Sequence, residues 1–325
     1  MLQKNALDTK PQVSIITMTY NKFNGLERTI ESVANQSYKN IEYIIADDGS
    51  KEFSRDYIEQ ILKRHNITNF KIMHSKTNSG TVVNANIACK KATGVYIMFL
   101  SEGDCFTDSC IVGKVVERFI NTGADLLAVR RIVYSNNQAL FFMPHILSIP
   151  IIRTFKTSQK QYEAFITTHF WDMASGSAMY YSKAILEKLD YFDEKYYLWE
   201  DGPFLEKYLR NGTMNYAFDI VGVWYEWGGV STGSVNPLLE KDRLLFDATD
   251  RHNMKGQLSK FANKYIEYIG KRSSCKTDKE LNSLRKSYPI IMISHIFYVY
   301  SKKLFKKIDR LYLCFTKKWK RSVPK

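Results

Sequence analysis

Four clusters of polar residues carry carboxylates, hydroxyls or aromatic rings, and three of them directly follow a predicted β-strand. The clusters are Thr19-Tyr20-Asn21, Asp47-Asp48, Glu102-Gly103-Asp104 and Glu200-Asp201. Carboxylate oxygens bind hard divalent cations. A carboxylate beside an aromatic ring can also hold a planar heterocycle, because the ring stacks while the carboxylate accepts a hydrogen bond. A carboxylate held next to a hydroxyl group can remove its proton. The residue types therefore predict a polar site for ligand binding or proton transfer.

The elements that would position these clusters alternate between short apolar runs and amphipathic segments. This alternation predicts βαβ units on a parallel sheet, in which ligands bind beyond the carboxyl ends of the strands. A capping box from Asn24 to Glu27 predicts the start of the first helix. Glu200-Asp201 opens another helix, which should end before Gly212. The predicted strands are 13–18, 41–46, 70–74, 95–100 and 124–134, and two further predicted helices are 54–64 and 81–92.

Length and composition are those of a folded protein with one large domain and an extension. The chain has 325 residues, 45% of them hydrophobic, and a net charge of +14, and this length suggests about two domains. Its five cysteines show no paired spacing, so we expect reduced thiols rather than a zinc site or disulfides. No apolar stretch precedes Val13 and no run is long enough to cross a membrane, so we expect a cytoplasmic protein without a signal peptide or spanning helix.

The positive charge is concentrated at the C-terminal end. Residues 302–325 contain ten Lys or Arg and one acid, which is +9 of the total of +14. Leu304, Ile308, Leu311, Phe315 and Trp319 follow one another there at helical spacing. Such a helix can lie on an anionic membrane, pack on the rest of the protein or pair with a second copy, and we favour the membrane surface. A nucleic-acid-binding protein is disfavoured, because the remaining chain is nearly neutral and shows no binding motif.

In this order and at these intervals, three segments resemble family 2 glycosyltransferases of the GT-A fold. The segments are VSIITMTYNKFNGLERTIESVANQSYKNIEYIIADDGS, NSGTVVNANIACKKATGVYIMFLSEGD and LWEDGPFLEKYLRNG. The resemblance covers residues 12–235 and implies an α/β fold, a Rossmann-like mixed sheet flanked by helices. It implies a catalytic domain over residues 1–235, with a nucleotide-binding half at 12–105 and an acceptor-side half at 106–235. The remaining residues, 236–325, would form a helical region with a basic, membrane-associating tail at 289–325.

The resemblance also implies where a nucleotide-sugar donor binds. It places Thr17, Tyr20 and Asp48 on the uridine, with Tyr20 stacking on the base and Asp48 accepting a hydrogen bond from it. Asn78 and Asn86 match a family segment that lies against the nucleotide. The implied donor is a UDP-sugar.

The metal and the general base are implied by two acidic motifs of the family. Asp104 matches the metal-binding aspartate of the DxD motif, and Glu102 is a substitute second acid for Mn²⁺ or Mg²⁺. The motif is altered here, because Ser101 and Gly103 stand where aspartates are usual. Such a metal bridges the donor phosphates and stabilises the leaving group.

Glu200-Asp201 matches the family's acidic pair at the start of a helix. Asp201 takes the position of the general base, and Glu200 would position the acceptor or the neighbouring backbone. From the residues alone, capping of the helix by the acidic pair is the preferred interpretation.

Three further segments match the family more loosely. The turn Ser175 to Ser177 could touch the donor sugar, and the aromatic-rich segment 165–171 could form a platform for a sugar or lipid. Ser231 and Thr232 belong to a segment resembling the mobile one that closes over the diphosphate. Glu226 stands in that segment where a basic residue or His is often found.

The expected function is an inverting glycosyltransferase of the hexosyl- or N-acetylhexosaminyltransferase class. It would move a single sugar to a hydroxyl of a glycan or lipid-linked glycan at the inner face of the cell membrane, and self-association stays open. One alternative is a degenerate transferase that kept the fold and lost the activity. A nucleotidyltransferase is disfavoured, because residues 19–22 do not form the Gly-rich basic loop that it would need after the first strand.

Overall fold

In the computed structural model, the described residues are 10–167, 173, 176–229, 232, 235–316 and 319. The strands are β1 (Val13–Thr19), β2 (Ile41–Asp47), β3 (Phe70–His74), β4 (Tyr96–Phe99), β5 (Cys105–Phe106), β6 (Leu126–Ser135), β7 (Gln138–Met143), β8 (Met179–Ser182) and β9 (Asn215–Glu226). The α-helices are α1 (Leu26–Ala34), α2 (Arg55–Arg64), α3 (Thr81–Lys91), α4 (Ile111–Thr122), α5 (Ile149–Ile152), α6 (Ser158–Ile166), α7 (Lys183–Lys188), α8 (Asp201–Leu209), α9 (Pro237–Ala248), α10 (Lys260–Ser273), α11 (Asp278–Ser287) and α12 (Pro289–Phe315).

The sheet has a parallel half and a mixed half. Its strand order is β3-β2-β1-β4-β8-β6-β9-β5, with β7 also paired to β6. β1 to β4 are parallel, as the alternating pattern predicts. β8 runs antiparallel to both β4 and β6, and β9 is parallel to β6. Because β1, β2 and β4 are parallel, the three clusters that follow them lie at the same edge of the sheet, where ligands of such sheets bind.

Two hydrophobic cores cover the opposite faces of the sheet. Alternate residues of a strand point to opposite faces, so Ile15 belongs to the core with α1, α2 and α4, and Ile16 to the core with α3, α7 and α8. Phe246 of α9 and Ile266 of α10 lie in this second core as well. The first two helices after residue 235 therefore pack on the same body as the sheet, and the domain boundary at that residue stays a prediction.

The first helix does not begin with the expected capping box. Gly25 takes the N-cap position, and no side chain of Asn24 or Glu27 caps the helix. Instead, the Glu102 carboxylate accepts a hydrogen bond from the Gly25 N–H, while Glu27 pairs with Arg64 of α2. A helix start needs an acceptor for its N–H groups and favours negative charge. A carboxylate 77 residues away in the sequence satisfies that need here.

The C-terminal helix α12 is attached to the sheet by the buried carboxylate of Asp309. One of its oxygens accepts a hydrogen bond from the Phe142 N–H at 3.0 Å and faces His145 Nδ1 at 2.6 Å. The other accepts from the Ile146 N–H at 3.1 Å. Since these partners lie in and just after β7, Asp309 sets the position of the helix against the edge of the sheet.

The apolar stripe expected over residues 304–319 is wrong at its end. Trp319 is buried and lies 6.0 Å from Trp224, ring centre to ring centre. It therefore belongs to a small core with Leu313 and does not share the exposed face of Leu304. Residues 317–318 and 320–325 of the basic tail lie outside the described residues. Among the helices that the structure describes, none is long and apolar enough to span a membrane.

Candidate active site

The Asp48 carboxylate lies at the carboxyl end of β2 and is held by the loop before α3. One oxygen accepts hydrogen bonds from the N–H and hydroxyl of Ser79 at 2.9 and 2.8 Å, and the other accepts from the Gly80 N–H at 2.8 Å. A carboxylate offers about four acceptor positions, so about one remains for a ligand. Tyr20, at the end of β1, is 47% exposed. Asp48 itself is 4% exposed, so Tyr20 is the member of this predicted pair that presents an exposed surface for stacking.

Tyr197 closes the side of this region opposite the sheet. Its hydroxyl lies 2.9 Å from the Asn78 side-chain oxygen. Gly80 has a positive φ of 93°, and a Cβ atom there would lie 2.6 Å from the Tyr197 ring. Only glycine fits such a conformation and approach without strain. Asn78 therefore connects the nucleotide-side loop to the segment that leads to Glu200.

Two predicted contact residues do not reach this surface. Thr17 is fully buried, and its hydroxyl is 2.8 Å from the Tyr43 hydroxyl inside the core. Asn86 is buried as well. Its amide donates to the Phe192 carbonyl and to Glu194, and its oxygen accepts from the Phe192 N–H. Thr17 and Asn86 thus support the site from behind, because their polar atoms are already used by the protein.

The turn of Glu102, Gly103 and Asp104 is braced from two elements. The Thr29 hydroxyl of α1 accepts a hydrogen bond from the Gly103 N–H and donates to the Asp104 carbonyl. The Tyr134 hydroxyl of β6 donates to the Gly103 carbonyl at 2.9 Å. Gly103 has a φ of 91°, and a Cβ atom there would lie 2.3 Å from a carboxylate oxygen of Glu226. An aspartate at this position would be strained by the backbone conformation and would displace the Glu226 carboxylate.

Asp104 is the acid of this turn that fits a metal ion. Its side chain is 2% exposed, one oxygen accepts from the Glu226 N–H at 3.0 Å, and the other is buried without a hydrogen-bond partner. Burial raises the pKa of Asp104 to about 7. A buried carboxylate without a cation is costly, so this oxygen is a suitable ligand for a divalent ion. In the described part of the chain, no three His, Cys, Asp or Glu residues converge on a common metal position.

Glu102 has a different environment. One carboxylate oxygen caps α1 through Gly25, and the other is buried without a hydrogen bond, 3.1 Å from the Lys22 ammonium. Glu102 would therefore have to exchange its ion pair with Lys22 in order to bind a metal through this second oxygen. A cation at this turn would be held by Asp104 and by oxygens of the ligand itself.

A cluster of charges beside the turn is not evident from the sequence. Glu226, the last residue of β9, places one oxygen 2.9 Å from Lys22 and the other 3.3 Å from Arg28. Lys22 therefore bridges Glu102 and Glu226. The two cations come from the segment after β1 and from α1, and no motif marks them. Lys22 and Arg28 become recognisable as part of the site only because they contact Glu226, about 200 residues later in the sequence.

Glu200 and Asp201 lie at the start of α8, across from Gly176. Burial, together with the charge of Asp201, raises the pKa of Glu200, and burial raises the pKa of Asp201. The Asp201 carboxylate accepts hydrogen bonds from the N–H groups of Gly176 and Gly202 and from the Trp199 indole. A carboxylate held in this way, with a raised pKa, can accept a proton near neutral pH.

The segment that carries this pair is held by Asp242 of α9. Its buried carboxylate accepts hydrogen bonds from three successive N–H groups, those of Tyr197, Leu198 and Trp199, at distances from 2.6 to 3.1 Å. Such an arrangement neutralises one negative charge with backbone dipoles and leaves the segment little freedom. Asp242 is a positioning residue that the sequence patterns did not reveal.

Arg131 of β6 lies between the two acidic sites. It is 5% exposed, its guanidinium stacks 4.0 Å above the Tyr225 ring, and one amino group lies 3.3 Å from the Ser177 hydroxyl. Its charge lowers the pKa of both Asp104 and Asp201, against the larger effect of burial. The two acids therefore share the field of one buried cation.

The remaining predicted segments are only partly described. Ser175, Ser231 and most of the expected aromatic platform, residues 168–171, lie outside the described residues. The Thr232 hydroxyl accepts a hydrogen bond from the Gly228 N–H and lies 3.3 Å from the Tyr225 hydroxyl. Thr232 thus closes a turn directly after the strand that carries Glu226.

Comparison with known proteins agrees with this architecture. Residues 14–189 match the family model described as glycosyl transferase family 2. The chain is 24% identical over 283 residues to the uncharacterized glycosyltransferase EpsJ of Bacillus subtilis. This alignment covers 87% of this chain and 77% of EpsJ. It is 38% identical over 103 residues to the Escherichia coli protein named UDP-Glc:alpha-D-GlcNAc-diphosphoundecaprenol beta-1,3-glucosyltransferase WfaP, covering 32% of this chain and 39% of WfaP.

Two solved structures share the fold. Staphylococcus aureus TarS (residues 1–349) in complex with UDP-GlcNAc has a TM-score of 0.56 at 19% identity, covering 85% of this chain and 73% of that one. The mannosyltransferase PcManGT of Pyrobaculum calidifontis, in complex with GDP-Man and Mn²⁺, has a TM-score of 0.51 at 11% identity, covering 94% and 88%. With the family match over more than half of its length, the chain belongs to glycosyl transferase family 2 and is a glycosyltransferase of the GT-A fold.

Proposed function

We propose that this glycosyltransferase moves one sugar from a UDP-sugar to a hydroxyl of a glycan or lipid-linked glycan, with inversion at the anomeric carbon. The observation that carries the proposal is the buried Arg131, whose charge acts on both Asp104 and Asp201. In this proposal Asp104 serves the donor and Asp201, at the start of α8, serves the acceptor. UDP is favoured as the leaving group, because Tyr20 offers an exposed ring for stacking and Asp48 keeps about one acceptor position.

In the proposed reaction the acceptor oxygen attacks the anomeric carbon while Asp201 takes the proton of that hydroxyl. The bond from the anomeric carbon to the diphosphate oxygen breaks, and its electron pair leaves with UDP. Inversion follows, because the attacking and leaving oxygens lie on opposite sides of the carbon. Burial keeps the pKa of Asp201 high, and Asp242 holds the segment that carries both acids.

The charge of the departing diphosphate is balanced on the donor side. When bound, Mn²⁺ or Mg²⁺ would act there as a Lewis acid on the phosphate oxygens, with Asp104 as its protein ligand. Lys22 and Arg28 are within reach of the same turn and supply fixed positive charge, which Glu226 neutralises in this structure. Donor binding would then take these two cations from Glu226.

The acceptor is proposed from the chemistry of a relative. The name of WfaP states a UDP-glucose donor and a GlcNAc-diphosphoundecaprenol acceptor, and TarS binds UDP-GlcNAc. We therefore propose a lipid-linked acceptor at the cytoplasmic face of the membrane, with glucose or N-acetylglucosamine as the transferred sugar.

The first experiment is the thermal stability of the purified protein with UDP, GDP, TDP or CMP, each with and without Mn²⁺. A ligand that binds only the folded state raises its stability with its affinity. We expect UDP with Mn²⁺ to give the largest increase, and transfer from UDP-Glc or UDP-GlcNAc to a polyprenyl-diphosphate-linked sugar to follow. Transfer is also measured with Asp201→Asn, which should lose it. The control variant is Asp193→Asn, an exposed acid in the same segment, which should keep it.

Stabilisation by UDP without any transfer from a panel of UDP-sugars and acceptors would contradict the proposed reaction. It would favour the degenerate transferase, which keeps a donor site and has lost the chemistry.

A further inference from the structure

The helix α12 carries an exposed apolar face along its whole length. Large apolar residues occur at helical steps on this face, and each has more than half of its surface exposed: Ile290, Ile293, Phe297, Tyr300, Leu304, Leu311 and Phe315. A helix of 27 residues is about 40 Å long. Contiguous apolar surface of this extent is uncommon on a protein that acts alone and marks an interaction site.

This face is not the result of a loosely placed helix. Ile291 is 2% exposed and packs with Tyr268 and Tyr288, and Leu313 is 4% exposed in the small core with Trp224. Asp309 makes the hydrogen bonds described above. The buried side of α12 is therefore attached near both of its ends, and the apolar face points the other way.

The charge along α12 identifies its partner. The helix contains five Lys or Arg residues and a single acid, Asp309, and that acid is buried and bonded to the sheet edge. Lys303, Lys307 and Arg310 are exposed beside the apolar face. The first 13 residues of the helix, up to Ser301, carry no Lys, Arg, Asp or Glu. No acid of a second copy's α12 would be available to balance these cations, whereas an anionic lipid surface supplies negative charge all along it.

We propose that α12 is a docking surface for an anionic membrane, with the apolar face inserted among the lipids and Lys303, Lys307 and Arg310 on their headgroups. Helices with one apolar face and basic flanks lie in the interface in this way. The assignment gives the proposed lipid-linked acceptor a physical location, and in that respect it rests on the proposed function. The docking itself depends only on α12.

The helix is also joined to the catalytic cleft through side chains. The Lys306 ammonium lies 4.5 Å above the Phe141 ring, and Phe141 is 6.1 Å from the Trp227 ring. Trp227 follows Glu226, which faces the Glu102 to Asp104 turn. Docking of α12 therefore holds the donor side of the cleft a few side chains away from the lipid surface.

The test is sedimentation of the full-length protein with vesicles, in the absence of any donor. Vesicles of phosphatidylcholine alone are compared with vesicles containing about 30% phosphatidylglycerol, at about 0.1 M and about 0.5 M salt. We expect strong binding only to the anionic vesicles, and weaker binding at high salt. Equal binding to neutral vesicles, or binding to neither kind, would overturn the proposal.

Two pairs of variants separate the apolar and the charged contribution. Phe297→Asn with Phe315→Asn, which adds no charge, should lower binding to anionic vesicles at least tenfold, while Leu244→Asn on α9, which is 62% exposed, should leave it unchanged. Unchanged binding by the double variant, with its melting temperature preserved, would contradict the assignment.

Charge reversal is tested against a control variant with the same change in net charge. Lys303→Glu with Lys307→Glu should reduce binding to anionic vesicles at least tenfold, whereas Lys63→Glu with Lys188→Glu, exposed on α2 and α7, should change it little. A dimer in light scattering that Phe297→Asn dissociates, in a protein that ignores vesicles, would assign the face to a second copy instead. Vesicle binding without sugar transfer would contradict only the proposed function.

Discussion

The two acidic sites each contain one glutamate and one aspartate, but their charged neighbours differ. At the donor-side turn, Gly103 separates the two acids, and Lys22 and Arg28 lie around them. At the start of α8, Glu200 and Asp201 are adjacent, and desolvation with mutual repulsion raises the pKa of the pair. Burial also raises the pKa of Asp104, to about 7. The first site therefore differs from the second in the cations beside it, and not in its affinity for a proton.

This difference assigns the chemistry better than either motif does alone. A carboxylate among cations suits a site where a diphosphate and a metal must be held. A crowded carboxylate suits a general base, because its affinity for a proton is raised toward the working pH. The comparison also separates Asp104 from Glu102, which the sequence groups in one motif.

The largest expected effect is that of Asp201→Asn. Removing the general base should lower kcat by about 10²–10⁴-fold, whereas stabilisation by UDP should be unchanged, because the base lies on the acceptor side. Glu200→Gln should cost much less. Steady-state kinetics with thermal melts in UDP measure both quantities. Activity of Asp201→Asn within about tenfold of the parent would place the base elsewhere.

Asp104→Asn should have the next largest effect, on the donor side. Without its anionic ligand, the dependence of UDP binding on Mn²⁺ should disappear, and the affinity should fall by about tenfold to a hundredfold. Glu102→Gln should keep the metal dependence, since the parent carboxylate is already held by Gly25 and Lys22. Titration calorimetry with UDP, with and without Mn²⁺, measures this dependence for both variants. If Glu102→Gln lost more UDP affinity than Asp104→Asn, Glu102 would be the more important metal ligand.

The raised pKa of the acceptor-side pair predicts a specific pH dependence. The active form of Asp201 is deprotonated, so kcat/KM should fall as the pH drops, at values above the ordinary carboxylate pKa of about 4. The pKa of Glu200 is raised to about 8, so Glu200 is neutral in the range where Asp201 loses its proton, and Glu200→Gln should move this acidic limb little. Rate profiles between pH 5 and pH 9 give the result. A limb that moves by about one unit or more would mean that a charged Glu200 sets the pKa of the base.

Asp242→Asn tests whether the acceptor-side pair depends on its support. The amide keeps one acceptor oxygen and loses the second, so the segment of Tyr197 to Trp199 should loosen. We expect kcat to fall about tenfold, with the KM for the donor unchanged. Asp247→Asn, on the same helix and paired with Arg251, is the control. Equal loss in both variants would indicate a general effect on α9.

The smallest expected effect is an increase in UDP affinity. Glu226→Gln removes the anion that competes with a diphosphate for Lys22 and Arg28, so UDP should bind about two- to fivefold more tightly. The increase should shrink at high salt. Glu240→Gln, whose partner Arg243 lies on the same helix away from these cations, should not change UDP affinity. Weaker binding by Glu226→Gln would show that Glu226 helps to hold the donor.

The helix α12 shows how far apolar periodicity in the sequence predicts an exposed face. The apolar periodicity of the tail was visible in the sequence, and much of the expected stripe is exposed. Its end was misplaced, because Trp319 has the spacing of the stripe and packs in a small core. Periodicity tells which residues share a face, and only the packed structure tells which face is covered.

The sequence by itself determined the parallel half of the sheet and the position of the acidic clusters. Strands such as β3 and helices such as α2 follow from local alternation, capping and turn residues, and these act over a few residues. The same holds for Asp48, Asp104 and Asp201, whose place after a strand or before a helix is a local property. The antiparallel strand β8 and the parallel pairing of β6 with β9 left no such pattern.

The tertiary structure alone decided the partners of these residues. Lys22 and Glu226 meet across 204 positions, and Asp242 holds a segment that begins 45 positions earlier. In the tertiary structure Thr17 and Asn86 are buried, and Glu102 caps α1. Arg131 lies where its charge acts on both Asp104 and Asp201. Side-chain pairing over such separations is set by how whole elements pack, and local propensity carries no information about it.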